Sequence, residues 1–389
     1  MRVLIQMGDS YPDESPCAKR MRTFYDVFKK NGDEVIVLAP KSVNSIEGTE
    51  GAVYCPTVPL KKKNSIYRFL NSYVMGMTSY HKAKKIKNVD VVVTTAPPPL
   101  INMWGKRIAR QHKAKLVYDV RDVWPDVAWE MGSFSKDSIY SKIFGRIRNI
   151  MLKSADLTIA VSPGKVKKLK GYAPDKKIIE ITNGLDEDFL KNSEDNEIVK
   201  KYGLDDVFTV CYIGNLGLAQ GLRQLLEVAK KAQDDGINAQ FLLFGSGAEE
   251  KLLKEYVADH KLESVRFPGR IPNKLMYTVL KHSKISFVSL VNENLRDSVP
   301  TKMYEAIGAG CPVLLAACGD AADILEKSGL GIAVRPNDQE ALWEAFKKMH
   351  DDIETYEARR EEALRYILTN YSRQKAAAKF EEELHRLII

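Results

Sequence analysis

The sequence has no apolar run long enough to span a bilayer. The longest clean apolar stretch, 307–318, is shorter than the roughly 18 residues of a membrane span. Strand-like residues begin at Arg2, which leaves no room for a charged region, an apolar region and a cleavage site. We therefore expect no integral anchor and a location in the cytoplasm.

Closely spaced cysteines, paired histidines and glycine fingerprints are also absent. The 5 cysteines lack CxxC spacing and the 6 histidines do not pair at metal-ligand spacing, so we expect reduced, structural thiols. No acidic calcium or magnesium loop occurs. No βα turn carries GxGxxG, which counts against a nicotinamide or flavin enzyme. The sequence predicts neither a tightly bound metal nor a cofactor.

Charge is distributed unevenly along the chain. Residues 1–180 contain 32 Lys and Arg against 17 Asp and Glu, a net charge of +15, whereas the remainder carries −7. Basic clusters at 61–68 and 82–87 flank an amphipathic segment, 66–75. This pattern suits a helix lying on an anionic membrane, and it suits equally a helix packed on its own domain with a solvated basic edge. No nucleic-acid motif accompanies the charge, so we expect no nucleic-acid partner.

Short β-branched runs alternate with helical patterns through nearly all of the 389 residues. Such alternation predicts an α/β protein with parallel sheets covered by helices on both sides. The alternation of strand and helix patterns is interrupted near 182–188. We therefore place a first doubly wound domain at 1–190 and a second at 191–371. The pattern does not decide which domain the final helix, about 372–389, covers; packing back on the first is one arrangement. The predicted strands are 3–5, 34–38, 90–94, 115–120, 157–160 and 178–181, then 208–212, 240–244, 265–267, 285–289, 313–316 and 331–334.

The segment 296–313 joins a polar loop, a short helix and a buried strand. Pro300 is suited to open the helix, with Lys302 and the free amides near Thr301 beside it, and such a terminus attracts anions. Glu305 follows one turn later, so its carboxylate lies on the same face and can accept hydrogen bonds from sugar hydroxyls. The segment therefore predicts a site for a phosphorylated sugar ligand.

Glycine-rich loops follow other strands of the same predicted sheet. Gly214 follows the first strand, with Asn215 and Gln220 in its loop, and Gly245 and Gly247 follow the second. Glycines there let the backbone approach a ligand closely. Because parallel strands end at one edge, we expect these loops and the Pro300 segment to converge, with the chemistry between the two domains.

These motifs resemble glycosyltransferase family 4. The resemblance is carried by the glycine loops, by Pro-Thr-Lys with Tyr-Glu at 300–305, and by Gly-Cys-Pro-Val at 310–313. In the first half, Tyr-Pro-Asp-Glu at 11–14 with Arg20, and 118–125, resemble the branch of bacterial O-antigen and capsule transferases that includes L-fucosamine transferases. The resemblance implies two Rossmann-like domains facing across a cleft, the GT-B fold. It also implies a sugar nucleotide donor, retention of anomeric configuration and no required metal ion.

The resemblance assigns donor contacts in the second domain. Glu305 would hold the ribose, while Lys302, the amides near Thr301 and the loop at Gly214 would hold the diphosphate. Arg270 and Ile271 lie where the family's loop meets the base. Asp297 takes the position of a family glutamate that lies near the donor sugar. Aspartate is shorter than glutamate, and a loop residue that caps backbone amides is an equal alternative for Asp297.

Other positions depart from the family. Asn215 and Gln220 stand where many members have an Arg and a Lys, so Lys302 must neutralise more of the diphosphate. Arg121 replaces a common histidine and cannot serve as a base. Its neighbour Asp122 either holds a sugar hydroxyl or the acceptor, or pairs with Arg121.

The residues support a retaining transferase that moves a sugar, most readily from a UDP-sugar, to a lipid-diphosphate-linked saccharide at the inner membrane face. In this hypothesis the candidate catalytic residues are Asp122, Asp297, Lys302 and Glu305, and Arg20, Arg121 and Trp124 contact the acceptor; Trp124 also fits a core position. Two alternatives remain: an epimerase of UDP-sugars on the same fold, and a non-catalytic sugar-nucleotide-binding partner of another transferase.

Overall fold

The computed structural model describes residues 1–12, 15–41, 51–58 and 65–389, which form two compact units. The first comprises Met1–Asn183 with Arg373–Ile389, and the second comprises Gly184–Ser372. This division falls before the predicted boundary at 190. The reason is that a short 3₁₀ helix, Glu187–Lys191, packs on the second unit, where the rings of Phe189 and Tyr277 lie 5.6 Å apart.

Within its described residues, the first unit has a parallel sheet in the order β3-β2-β1-β4-β5-β6-β7. Its alternate side chains enter two separate apolar clusters, as the two-residue period of a strand requires. Val3 and Ile5 pack with one cluster, and Leu4 packs with the other. The strands are β1 (Arg2–Gln6), β2 (Glu34–Ala39), β3 (Ala52–Tyr54), β4 (Val91–Ala96), β5 (Lys115–Val120), β6 (Leu157–Ala160) and β7 (Ile178–Glu180).

Helices supply the other half of both clusters. Ser15 caps the first helix by accepting from the Ala18 amide, and Pro16 occupies its first turn, where a missing N–H costs nothing. The helices of the first unit are α1 (Pro16–Lys30), α2 (Ser65–Ala83), α3 (Pro99–His112), α4 (Asp126–Glu130), α5 (Ile139–Ser154) and α6 (Pro163–Tyr172).

The second unit, whose residues are all described, repeats this architecture with the strand order β10-β9-β8-β11-β12-β13. Its strands are β8 (Phe208–Ile213), β9 (Ala239–Phe244), β10 (Val265–Gly269), β11 (Ile285–Ser289), β12 (Val313–Ala316) and β13 (Gly331–Val334). Its helices are α7 (Asn196–Tyr202), α8 (Arg223–Asp234), α9 (Glu250–Asp259), α10 (Asn273–His282), α11 (Thr301–Gly308), α12 (Asp320–Ser328), α13 (Gln339–Asp351), α14 (Ile353–Glu357) and α15 (Arg360–Asn370).

The last helix, α16 (Arg373–Ile388), returns to the first unit. Its Phe380 ring lies 5.0 Å from that of Phe24 and 5.7 Å from that of Phe28, both on α1. All three rings are fully buried. The apolar face of the final helix therefore completes the core of the first unit.

The predicted α/β class with two doubly wound units is confirmed. Each predicted strand coincides with an observed strand to within two residues, and the short strand β3 was not predicted. Helix α2 contains the whole of the predicted amphipathic segment, whereas Lys61, Lys62 and Lys63 of the first basic cluster lie outside the described residues. Among the described helices, none combines the length and the hydropathy needed to cross a bilayer.

Candidate functional site

The strand order of the second unit reverses between β8 and β11, and loops leave the carboxyl ends of both strands there. In doubly wound sheets this reversal point is where ligands bind. The Val291 amide donates to the Ala219 carbonyl at 2.9 Å, and Ser289 Oγ donates to the Gln220 carbonyl at 2.5 Å. These bonds join the two loops, so they form one wall of a site at the edge of the sheet.

The Lys302 ammonium is held at this reversal point by groups from the β8 side. Lys302 Nζ donates to Tyr212 Oη at 2.8 Å and to Gln220 Oε1 at 2.6 Å. It also lies 4.2 Å from the centre of the Tyr212 ring, a cation–π distance. The Tyr212 hydroxyl in turn donates to the Asn215 carbonyl at 2.7 Å. The cation therefore has a fixed position beside the Gly214 loop.

Burial lowers the pKa of the Lys302 ammonium to about 7, and the nearby Glu305 carboxylate opposes part of this change. Burial also raises the pKa of Tyr212, so its hydroxyl stays protonated and can keep both hydrogen bonds. Neutral Gln220 and Tyr212 do not balance the lysine charge. The Glu305 carboxylate offsets only part of the effect of burial, so an anion bound beside Lys302 would add counter-charge.

We expect binding of a nucleotide diphosphate sugar to take up a proton at about pH 8, because a lysine with a pKa near 7 is then mostly neutral. Affinity should fall as pH rises through 7 and level off below it. Calorimetry in buffers of different ionisation enthalpy measures the uptake directly. A proton count of zero, or one that Lys302→Met leaves unchanged, would contradict this assignment.

The glycines of these loops are required by close backbone packing. A Cβ at Gly245 would lie 1.8 Å from the Gly214 carbonyl oxygen, and a Cβ at Gly247 would lie 2.1 Å from the Leu216 carbonyl oxygen. Backbone hydrogen bonds join Gly214 to Phe244 at 2.9 Å, Leu216 to Ser246 at 3.0 Å and Gly245 to Gly269 at 2.8 Å. The predicted convergence of the loops after β8, β9 and β10 is therefore present in the structure.

Helix α11 points its first turn toward this edge, since it follows the loop that leaves β11. Pro300 is its N-cap residue and Thr301 its first residue, and the first intrahelical bond runs from the Met303 amide to the Pro300 carbonyl at 3.0 Å. The amides of Thr301 and Lys302 precede that bond and can serve an anion. Glu305 is buried one turn further along, where its charge influences Lys302.

The remaining predicted donor residues lie in loops of the same unit. Arg270 is exposed, and its Nε donates to Ser246 Oγ at 2.7 Å, so it belongs to the joined β9 and β10 loops. Ile271, next to it, is half-buried. Asp297 is 7% exposed and lies in the loop before α11. Its burial fits a capping role as well as a substrate contact, and its role stays a prediction.

Arg20, predicted to contact an acceptor, is instead a core residue of the first unit. Its side chain is 0% exposed and pairs with the equally buried Asp119 at 3.1 Å. It also donates to the Thr182 carbonyl at 2.9 Å. This correction has a plain cause: the position of Arg20 on α1 directs a long side chain under the carboxyl end of β5, away from solvent.

Arg121 lies at the carboxyl end of β5, as predicted, beside Asp9 rather than in a bond to Asp122. Its guanidinium is 3.7 Å from Asp9 Oδ2, and it donates to Thr95 Oγ1 at 3.0 Å and to the Pro97 carbonyl at 2.7 Å. Asp9 lies in the loop after β1, Thr95 at the end of β4 and Pro97 directly after it, so these partners surround the reversal point of this sheet. Asp122 is half-buried and its predicted substrate role remains untested.

Trp124 is half-buried and packs edge-on against Phe144 of α5, 5.8 Å between ring centres. This contact agrees with the alternative that Trp124 is a core residue. Because part of the ring is exposed, the predicted contact with an acceptor stays a prediction.

Two features of the surroundings were not predicted from the sequence. Tyr212, which accepts a hydrogen bond from Lys302, is the penultimate residue of β8. The sequence signal that could have identified it is a tyrosine at the end of a strand, two residues before a glycine. The start of α5 exposes Ile139, Tyr140 and Ile143 (69%, 46% and 49% exposed). Their spacing marks one helical face, which was the signal for this apolar surface.

Comparison with known proteins agrees with these findings. Residues 18–189 match the family model described as Glycosyltransferase Family 4, and residues 194–366 match the model described as Glycosyl transferases group 1. The probable glycosyltransferase WbjE of Pseudomonas aeruginosa is 24% identical over 258 residues, which are 65% of this chain and 64% of that protein. The putative colanic acid biosynthesis glycosyltransferase WcaL of Escherichia coli (strain K12) is 23% identical over 146 residues, 36% of each chain.

The solved structure of Anabaena HepE in complex with UDP-glucose has a TM-score of 0.75 to this chain, covering 99% of it and 100% of HepE at 14% identity. That similarity shows the shared fold, which is the GT-B fold implied by the sequence. The two family models together account for nearly the whole length. The chain belongs to glycosyltransferase family 4.

Proposed function

We propose that this protein is a retaining glycosyltransferase that moves a sugar from a UDP-sugar to a lipid-diphosphate-linked saccharide during polysaccharide biosynthesis. The observation that carries the proposal is the Lys302 ammonium, held by Tyr212 and Gln220 at the reversal point of the second sheet. The first-turn amides of α11 and the buried Glu305 lie beside it. The UDP-glucose bound by the similar HepE and the colanic acid context named for WcaL support the substrate classes.

The donor would be held by its leaving group. Lys302 and the amides of Thr301 and Lys302 bind the diphosphate, Glu305 accepts from the ribose hydroxyls, and Arg270 and Ile271 flank the base. Because Asn215 and Gln220 are neutral, Lys302 contributes the greater share of cationic charge, and Gln220 acts by positioning it. A pre-placed cation stabilises the negative charge that develops as the glycosidic bond to phosphate breaks.

We propose that the acceptor hydroxyl attacks the same face of the sugar from which the nucleoside diphosphate departs. The C1–O bond to phosphate breaks first, giving an oxocarbenium-like state, and the acceptor oxygen then bonds to C1. The acceptor's proton passes to the leaving phosphate, which becomes basic as it departs. The protein supplies positioning and charge, and no metal ion is required in this scheme.

The acceptor would approach the first unit, where Arg121 offers a cation at the reversal point of the sheet. Two exposed apolar surfaces with basic neighbours support contact with an anionic membrane. One is Phe69, Leu70 and Tyr73 of α2, and the other is Ile139, Tyr140 and Ile143 of α5. The exposed Lys142 and Arg146 accompany the α5 surface. Apolar side chains framed by cations suit the boundary between lipid headgroups and acyl chains.

We expect Ile139→Ser combined with Ile143→Ser to reduce sedimentation with vesicles that contain phosphatidylglycerol. The physical reason is the loss of apolar area that would enter the membrane interface. Leu252→Ser is a matched control, because Leu252 is 63% exposed on α9 of the second unit. Equal sedimentation of the double variant and the control would remove the α5 surface from the proposal.

Incubation with a panel of UDP-sugars and a polyprenyl diphosphate saccharide tests the function itself. Sugar transferred to the lipid with its anomeric configuration retained, as read by NMR of the product, supports the proposal. An inverted linkage contradicts retention. A changed epimer of the donor would identify an epimerase, and saturable UDP-sugar binding without turnover would identify a non-catalytic partner.

A further inference from the structure

A group of ionisable side chains joins the final helix to the first unit. Asp33 precedes β2, at the amino end of the sheet, whereas substrates of doubly wound sheets bind at the carboxyl ends. Glu381 and His385 come from α16, one turn apart and so on the same helical face. His385 Nε2 lies 3.0 Å from Asp33 Oδ2.

One potential ligand atom from each of these three residues lies within 4.8 Å of the others. In tetrahedral zinc sites, bonds of about 2.0–2.2 Å to nitrogen and oxygen place the ligand atoms roughly 3.3 Å apart. Small side-chain rotations therefore suffice to close this group around an ion. One imidazole with two carboxylates is a donor set suited to a divalent transition metal such as Zn²⁺.

A second observation points to a missing ligand. Glu381 is 5% exposed, and its Oε1 is buried with no hydrogen-bond partner among the described residues. The other oxygen, Oε2, accepts from Asn31 Nδ2 at 2.5 Å. A buried carboxylate oxygen without a donor is costly, and a cation removes that cost.

Space for an ion and its waters lies next to the group. An open surface depression there is lined by Asn31, Glu381, Glu382, His385 and Arg386. The guanidinium of Arg386 is engaged by Glu383 at 2.5 Å. The amino group of Met1 donates to Asp33 Oδ1 at 2.6 Å, whereas Asp33 Oδ2 faces His385 Nε2, so an ion would bind between these last two atoms.

The charges favour a divalent ion as well. Asp33 and Glu381 each present a carboxylate oxygen within 4.8 Å of the other. Two neighbouring carboxyl groups repel each other when both are ionised, and a divalent cation between them relieves that repulsion.

We propose that Asp33, Glu381 and His385 form a structural site for Zn²⁺ that fastens the final helix α16 to the first unit. The sequence predicted no tightly bound metal because none of its histidines pairs with another, and because Asp33 and His385 are 352 positions apart. The proposal concerns the attachment of a helix, and it does not rest on the proposed transfer reaction.

Calorimetric titration of ZnCl₂ into chelator-treated, dialysed full-length protein tests the site, with hydrogen exchange of α16 as the structural readout. We expect one Zn²⁺ per chain and slower exchange of the α16 amides when it is bound. His385→Ala and Glu381→Gln should each abolish both effects, and UDP affinity should not change in either variant.

Two control variants separate this site from incidental binding. His282 also lies between two carboxylates, but Glu194 contacts its Nε2 and Asp205 its Nδ1, at 2.8 Å each. The two carboxylates therefore lie at different edges of the ring and do not gather around one nitrogen, so His282→Ala should leave Zn²⁺ binding intact. Cys318→Ser should do the same, since Cys318 is a half-exposed thiol and the other four are buried. No saturable heat, or binding that survives His385→Ala but not a control substitution, would overturn the proposal.

Discussion

The Lys302→Met variant should bind UDP roughly 10- to 150-fold more weakly than the unmodified protein, which corresponds to the about 1.5–3 kcal/mol of a hydrogen bond to a charged group. Methionine keeps the apolar stem of the side chain but cannot donate to a phosphate. The β8 loop offers no second cation to compensate, because Asn215 and Gln220 are both neutral. The loss should therefore approach the upper part of this range.

The same substitution should not destabilise the second unit. Burial disfavours the charged form of Lys302, so a neutral side chain of similar length removes a desolvation cost. Calorimetry with UDP and a thermal unfolding scan measure the two effects separately. Lys251→Met provides the control, because Lys251 is 87% exposed on α9 of the same unit.

Glu305→Gln should also weaken UDP binding, since the amide has one acceptor oxygen and loses the charge, where the carboxylate can offer one oxygen to each of two ribose hydroxyls. The Glu305→Gln variant should bind uridine as well as UDP more weakly, whereas the weaker binding of Lys302→Met should require the diphosphate. Unchanged UDP affinity in both Lys302→Met and Glu305→Gln would end the donor-site assignment.

The Asp119→Ala variant should lose about 3–5 kcal/mol of the unfolding free energy of the first unit, because it leaves Arg20 charged and buried without its partner. Both side chains are 0% exposed. Asp119 also accepts from Thr95 Oγ1 at 2.7 Å, so a second buried donor is orphaned. Replacing both members, as Arg20→Met with Asp119→Leu, should cost less than Asp119→Ala alone.

Urea denaturation followed by tryptophan fluorescence measures this loss in the correct unit. Trp104, Trp124 and Trp129 all lie in the first unit, and Trp343→Phe removes the signal of the second. Asp26→Ala is the control, since its ion pair with Arg22 is about half exposed and such pairs contribute at most about 1 kcal/mol. Equal effects of Asp119→Ala and Asp26→Ala would show that the buried pair has no special role in stability.

The parts of the fold that could be predicted from the sequence are those governed by local pattern. Buried parallel strands such as β4 and β11 are short uncharged runs rich in apolar and β-branched residues, and glycines at 214 and 245 mark turns where only backbone fits. Lys302 and Glu305 could be placed together because they share one short helix. The family resemblance then supplied roles that spacing alone does not.

The parts that could not be predicted depend on contacts between distant segments. The burial of Arg20 requires Asp119, 99 positions later, and the charge environment of Lys302 requires Tyr212, 90 positions earlier. The residues around Arg20 in the sequence do not show whether its side chain faces solvent or a buried carboxylate. Only the packed strand order distinguishes the two.

The return of α16 to the first unit has a consequence for the order in which the protein forms. Domains usually complete folding in the order in which the ribosome releases them. Here Phe24 and Phe28 lack their packing partner Phe380 until the whole of Gly184–Ser372 has been synthesised. The second unit can therefore finish folding first, and the amino-terminal unit is the last to close.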